Sequence, residues 1–157
     1  MRRHRTKTQR HRHKSAVLMR AMLDRAAPLP ASHATTVGIA CYLALDALHA
    51  GHGTDSNMNQ LAYAINLALA LAELGVVASE QETIIAAQDA LVCANAVSLN
   101  EGRWIISGDC YRSICDALAI HDRQIQIAAG MQIQAAHGLI HERLAAGDVI
   151  HVDIRTS

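Results

Sequence analysis

Residues 54–75 read TDSNMNQLAYAINLALALAELG, and this stretch decides the fold class. Thr54, Asp55 and Ser56 carry side-chain oxygens that accept from the unpaired N–H groups of a first helical turn, and Gly75 stands where a helix closes in left-handed backbone. Between these signals Leu61, Ile65, Ala68, Leu69 and Ala72 fall on one side of a helix, and the alanines there invite a neighbouring backbone to approach closely.

The pattern extends to both sides. From Ser32 to Ala50 the spacing of Val37, Cys41, Ala44, Leu45 and Leu48 predicts a helix that closes at Gly51, His52 and Gly53. Pro28 and Pro30 separate it from a short amphipathic segment that starts at Ser15 and carries Val17, Leu18, Met22 and Leu23. Downstream, Ser79 with Glu82 three residues later is a capping-box pattern, opening a helix that turns Ile84, Ile85, Leu91, Val92 and Leu99 inward as far as Asn100 and Gly102. The connections are short, which predicts antiparallel neighbours.

Trp104, Ile105 and Ile106 read as a brief extended piece, after which Ser107 caps a segment running from about Asp109 to Ala146. Unbroken, its roughly 38 residues would span about 57 Å at 1.5 Å per residue, more than a body of this size provides. Gly130 and Gly138 are places for a break. Even so, Tyr111, Ile114, Leu118, His121, Ile125, Ala128, Ala135 and Leu139 continue a three-four alternation across both, and such a seam predicts a partner helix and self-association. The fold class is therefore all-α: an antiparallel bundle of about four core helices over residues 15–148, with a long C-terminal helical segment. Val149, Ile150, Val152 and Ile154 predict an extended tail over 149–157.

Composition agrees. Of 157 residues 51% are apolar, yet aromatics are 3% and Phe is absent, so a core must be built from Leu, Ile, Val and the 29 alanines. Nine glycines, two prolines and four cysteines exclude collagen-like and disulfide-scaffold classes, and the cysteines read as free thiols in a reducing compartment. No uninterrupted apolar run is long enough to span a membrane, and the charged opening is not followed by a signal-peptide core, so a cytoplasmic protein is expected.

The formal net charge of zero conceals a division. Residues 1–14 hold Arg2, Arg3, Arg5, Lys7, Arg10, Arg12 and Lys14 and no acid, giving +7, whereas the remainder carries all fourteen acids against seven arginines. A block of like charge interleaved with His4, His11 and His13 cannot bury an apolar face, so residues 1–14 are expected to be a disordered basic arm. Such an arm suits phosphate contacts on nucleic acid or a nucleoprotein; a solvated tail folded back on the acidic body is the simpler alternative.

Candidate chemistry is sparse. His137 and His141, four apart on one helical face, are the best metal pair, but zinc requires further donors, and no spacing singles out one among His49, His52, Cys110, Cys115, His121 and His151. No stoichiometric metal and no cofactor is expected. Arg103 and Arg112, isolated cations in an acidic body, together with His121 suggest a second possibility, a sponge for an anionic small molecule such as a nucleotide. A helix-turn-helix around Leu71–Val76 is refused by charge, because the helix after it would offer Glu80, Glu82 and Asp89 to a polyanion. Neither a GxSxG elbow nor a phosphate-binding loop is present, so no enzymatic activity is expected.

Several pieces resemble a loose group of small helical proteins carried by phages, prophages and plasmids of proteobacteria: the basic opening Arg2, Arg3, Arg5; the helix from Asn59 to Glu73; Gln88, Asp89, Ala90, Leu91; Gly102, Arg103, Trp104; and Ala117, Leu118, Ile120, His121, Asp122, Gln124. They cover much of residues 54–125 and include no catalytic motif. What the resemblance implies is provenance, a mobile-element accessory gene of the kind that encodes small regulators and inhibitors of host systems.

Overall fold

The computed structural model describes residues 26–147, so the basic arm, the segment from Ser15 and the tail over 149–157 lie outside the described residues. Those described form α1 (Ala31–His49), α2 (Asp55–Glu73), a short 3-10 turn (Ala78–Glu80), α3 (Gln81–Glu101), α4 (Gly108–Ile127) and α5 (Gly130–Ala146). The all-helical expectation holds among them.

Local chemistry sets the helix ends. Pro30 is the N-cap of α1, and its carbonyl accepts from His33 and Ala34. Thr54 caps α2 in a reciprocal box: Asn57 N–H donates to Thr54 Oγ1 at 3.3 Å and Thr54 N–H donates to Asn57 Oδ1 at 3.0 Å. Gly75, at φ 88°, ends that helix, with Val76 N–H donating back to Leu71 and Gly75 N–H to Ala72. The box expected at Ser79 and Glu82 does not form. Ser79 lies inside the 3-10 turn, and Glu80 holds the N-cap position of α3 without a side-chain bond.

Helix α2 is the axis of the molecule. It packs on α1, α3, α4 and α5, and eleven of its residues are buried, which no single apolar stripe accounts for. Met58, Leu61, Ala62, Ala64, Ile65, Ala68 and Ala72 face a large core shared with α1, α3 and α4, while Leu67, Ala70 and Leu71 face a second, smaller core built with α5 and the end of α4. Leu69, expected inside, is only half-buried.

The segment expected to run from Asp109 to Ala146 is two helices. Ala128 and Ala129 take extended backbone (ψ 134° and 147°), and the chain around Pro28 pairs there: Gly130 N–H donates to Ala27 C=O at 3.0 Å, and Pro28 bridges Ala129. Gln132 Oε1 then accepts from Ala129 N–H at 2.9 Å and starts α5, which packs on α2. Gly130 lies at the first position of the new helix, and Gly138 interrupts nothing. The seam also meets a different partner. Ile114, Leu118, His121 and Ile125 are buried against helices of the same chain, while Ala135 is exposed.

Helix α3 is rotated from its expected setting. Ile84, Ala87, Ala90, Leu91, Ala94 and Ser98 face inward, leaving Ile85 (41% exposed), Val92 (53%) and Leu99 (55%) outside. The alanine side allows the close approach of backbones that the larger aliphatics would prevent.

The extended piece at 104–106 ties the bundle end. Trp104 is buried, donates from Nε1 to Asp55 Oδ1 at 2.5 Å and bridges Gly53. Gly53 is obligatory there, because a Cβ would stand 2.8 Å from Leu48 Cγ and 2.9 Å from Leu48 Cα. Ile106 is buried, and its carbonyl accepts from His49 Nδ1 at 2.9 Å.

Candidate functional site

Among the described residues each arginine lies beside an acid. Arg123 on α4 donates to Glu80 at 2.5 Å, Arg143 on α5 donates to Glu73 at 2.6 Å, Arg112 pairs with Asp109, and Arg103 Nε lies 3.8 Å from Glu101. These are surface pairs of roughly 0–1 kcal/mol each, so their consequence is for the field rather than for stability. Arg143 also offsets the unfavourable placement of Glu73 at the C-terminus of α2. Residues 26–147 contain these four arginines and eleven acids, and none of the four is presented to solvent without a carboxylate beside it.

Arg103 also lines a cleft of about 350 Å³ at the α3–α4 junction, walled by Ala94, Val97, Ile105 and Ile106, with Glu101 at its edge. Arg112 and His121 are not among its lining residues, so the three residues of the anionic-ligand expectation are not gathered there. Arg112 points to Asp109. His121 is 1% exposed on α4, with Nδ1 3.6 Å from Asp122 Oδ1 and no hydrogen-bond partner.

Two cysteines complete the cleft wall. Cys93 on α3 is exposed and Cys110 in the first turn of α4 is half-buried, and both line the same cleft from neighbouring helices. Burial and the neighbouring Cys93 push Cys110 above the ordinary thiol range. The sequence concealed this pair, since residues seventeen apart on separate helices follow no redox or metal spacing.

A second polar group lies between α1 and α4. Asp122 sits over Gly38, and burial followed by that carboxylate raises both Cys41 and Tyr42. Cys115 is raised by burial, and Tyr111 donates to Asp46 at 3.4 Å while its ring stands 4.5 Å from that of His49. Each of these shifts favours the protonated thiol or phenol, so the group does not supply an activated nucleophile at neutral pH.

His137 and His141 belong to α5. His137 Nδ1 hydrogen-bonds the Tyr63 hydroxyl, the two rings stack at 5.8 Å, and burial followed by His141 holds the imidazole below its usual range. Among the described residues no three His, Cys, Asp or Glu side chains gather as a ligand set, so this pair gains no third donor there.

No protein family, curated protein or solved structure was found to match the chain. Among the described residues no helix is long and apolar enough to cross a membrane.

Proposed function

We propose that the chain is a non-enzymatic, cytoplasmic polyanion-binding protein, in which the cationic N-terminal segment contacts nucleic acid or a host nucleoprotein and the acidic helical body carries that segment. Charge segregation is the observation that supports this most strongly. Residues 1–25 contain nine of the fourteen Lys and Arg against one acid, Asp24, whereas residues 26–147 contain four arginines, each beside a carboxylate, against eleven acids. A phosphate backbone is repelled by the body, so contact with it falls to Arg2, Arg3, Arg5, Lys7, Arg10, Arg12 and Lys14. The same pairing weighs against the small-anion sponge at Arg103, Arg112 and His121. The resemblance to mobile-element proteins supports an accessory role directed at a host system.

Self-association belongs to this proposal on a new surface. Ile85, Val92 and Leu99 project from α3 at seven-residue spacing, the repeat by which two helices meet along their length. A second copy laid antiparallel along α3 would keep the Glu82 ends of the two helices apart.

Fluorescence anisotropy with short labelled single-stranded and duplex oligonucleotides, titrated with salt, tests the first part. Seven phosphate contacts predict a log–log salt slope of about −6 on duplex. Removal of residues 1–14 is expected to abolish binding and slope together, and unchanged binding by the truncated chain refutes the proposal. Light scattering tests the second part: a strict monomer at high concentration removes it.

A further inference from the structure

We propose that Cys93 and Cys110 form a thiol–disulfide exchange site, in which exposed Cys93 reacts with a small-molecule disulfide and Cys110 resolves the adduct, linking α3 to α4 covalently. Three observations converge. The two cysteines stand on helices packed against each other, both line one cleft of about 350 Å³, within the size range of small-molecule sites, and Cys93 acts on the titration of Cys110. They also differ in access, Cys93 facing solvent and Cys110 half-buried behind it. Cys41 is buried in the α1–α2 core, and Cys115 lies against Tyr111, so neither competes for the cleft.

The chemistry balances without a further reagent. The Cys93 thiolate attacks one sulfur of R–S–S–R; the Cys93–sulfur bond forms, the reagent's S–S bond breaks, and RS⁻ leaves and takes a proton from solvent. With Cys93 in a mixed disulfide, Cys110 loses its proton to solvent. The Cys110 sulfur then attacks Cys93 Sγ and expels the second RS⁻. Two protein thiols are oxidised to one disulfide, and the reagent is reduced to two thiols. An S–S bond is about 2.05 Å, so the two sulfurs must close on each other at the cleft wall for it to form. The bond would bracket the connection that holds Trp104 and Ile106 and would cross the cleft wall.

Incubation of the reduced full-length chain with glutathione disulfide, followed by alkylation and combined Glu-C and trypsin digestion, tests this. The expected product is a disulfide joining peptides 83–101 and 104–112 of one chain, with Cys41 and Cys115 alkylated. Cys110→Ser is expected to stop at a glutathione adduct on Cys93, whereas Cys93→Ser leaves Cys110 unmodified over the same interval. Trp104 fluorescence checks that both variants retain the fold. The proposal is overturned if the wild type stops at the mixed disulfide, if the bond joins two chains, or if Cys93→Ser does not slow modification of Cys110.

Discussion

Gln124 offers the sharpest test of how α4 is held against α2. Its side chain is fully buried, and Nε2 donates to Ala68 C=O at 3.0 Å and Val76 C=O at 2.9 Å, so one amide joins the helix to the turn beyond it. Gln124→Leu removes both bonds, each worth about 1 kcal/mol net, and leaves Val76 C=O without that donor, for an expected loss of about 3 kcal/mol. Gln124→Glu is nearly isosteric but places a carboxyl against two carbonyl oxygens. To fold it must stay protonated, and holding a group of ordinary pKa near 4.3 protonated at pH 7 costs about 4 kcal/mol. The acid offers one donor where the amide had two, which adds about 1 kcal/mol. The folded-state pKa of the introduced carboxyl is thus raised above its unfolded value, so stability relative to wild type is regained as pH falls: about 5 kcal/mol lost at pH 7 and about 2 near pH 5. A loss of about 5 kcal/mol is comparable to the whole stability of a small domain, so the variant is expected to be largely unfolded at neutral pH and to fold on acidification. Urea unfolding followed by far-UV circular dichroism and Trp104 fluorescence, with wild type at each pH, measures this. A Gln124→Glu variant within about 1 kcal/mol of wild type at pH 7, or one whose deficit is independent of pH, refutes this role for the amide.

Three further outcomes follow from particular residues. Gly138 lies mid-helix in α5 with open space for at least 4 Å around the position a Cβ would take, so Gly138→Ala is expected to stabilise by about 0.5–1 kcal/mol in urea unfolding. Val77 is the one non-glycine with positive φ (56°) among the described residues and packs against both cores. There the usual order reverses: Val77→Gly should be more stable than Val77→Ala by about 1 kcal/mol, and the opposite order in the same assay counts against left-handed backbone at that site. His137 has a depressed pKa, so the unfolded chain takes up its proton first as pH falls below about 6.5 and stability drops through that range. His137→Gln should flatten the pH dependence of urea midpoints between roughly pH 7 and 5, and an unaltered profile would remove His137 as its source.

Signals contained within one helical turn were legible in the residues themselves. Thr54 as a cap and Gly75 and Gly102 as stops depend on backbone groups only a few residues away, whereas the Trp104 piece was legible as a break between helices although its pairing partner, Gly53, is distant in the chain. The +7 arm and the acidic remainder are likewise a matter of counting, so the polyanion reading rests on the residues alone. The anionic-ligand grouping was not legible, because whether Arg103, Arg112 and His121 converge depends on how separate elements pack.

What the chain alone determined is therefore its helical class, most of its helix boundaries and its segregation of charge, all consequences of short-range chemistry and composition. Tertiary structure decided the rest: the burial of α2 between two cores, the rotation that turned Ile85, Val92 and Leu99 outward, the break at Ala128 where the chain around Pro28 crosses, and the meeting of Cys93 with Cys110. Alanine makes this division sharp. In a chain so rich in small side chains nearly every helical face can pack, so which one does is settled by the surfaces other segments bring to it.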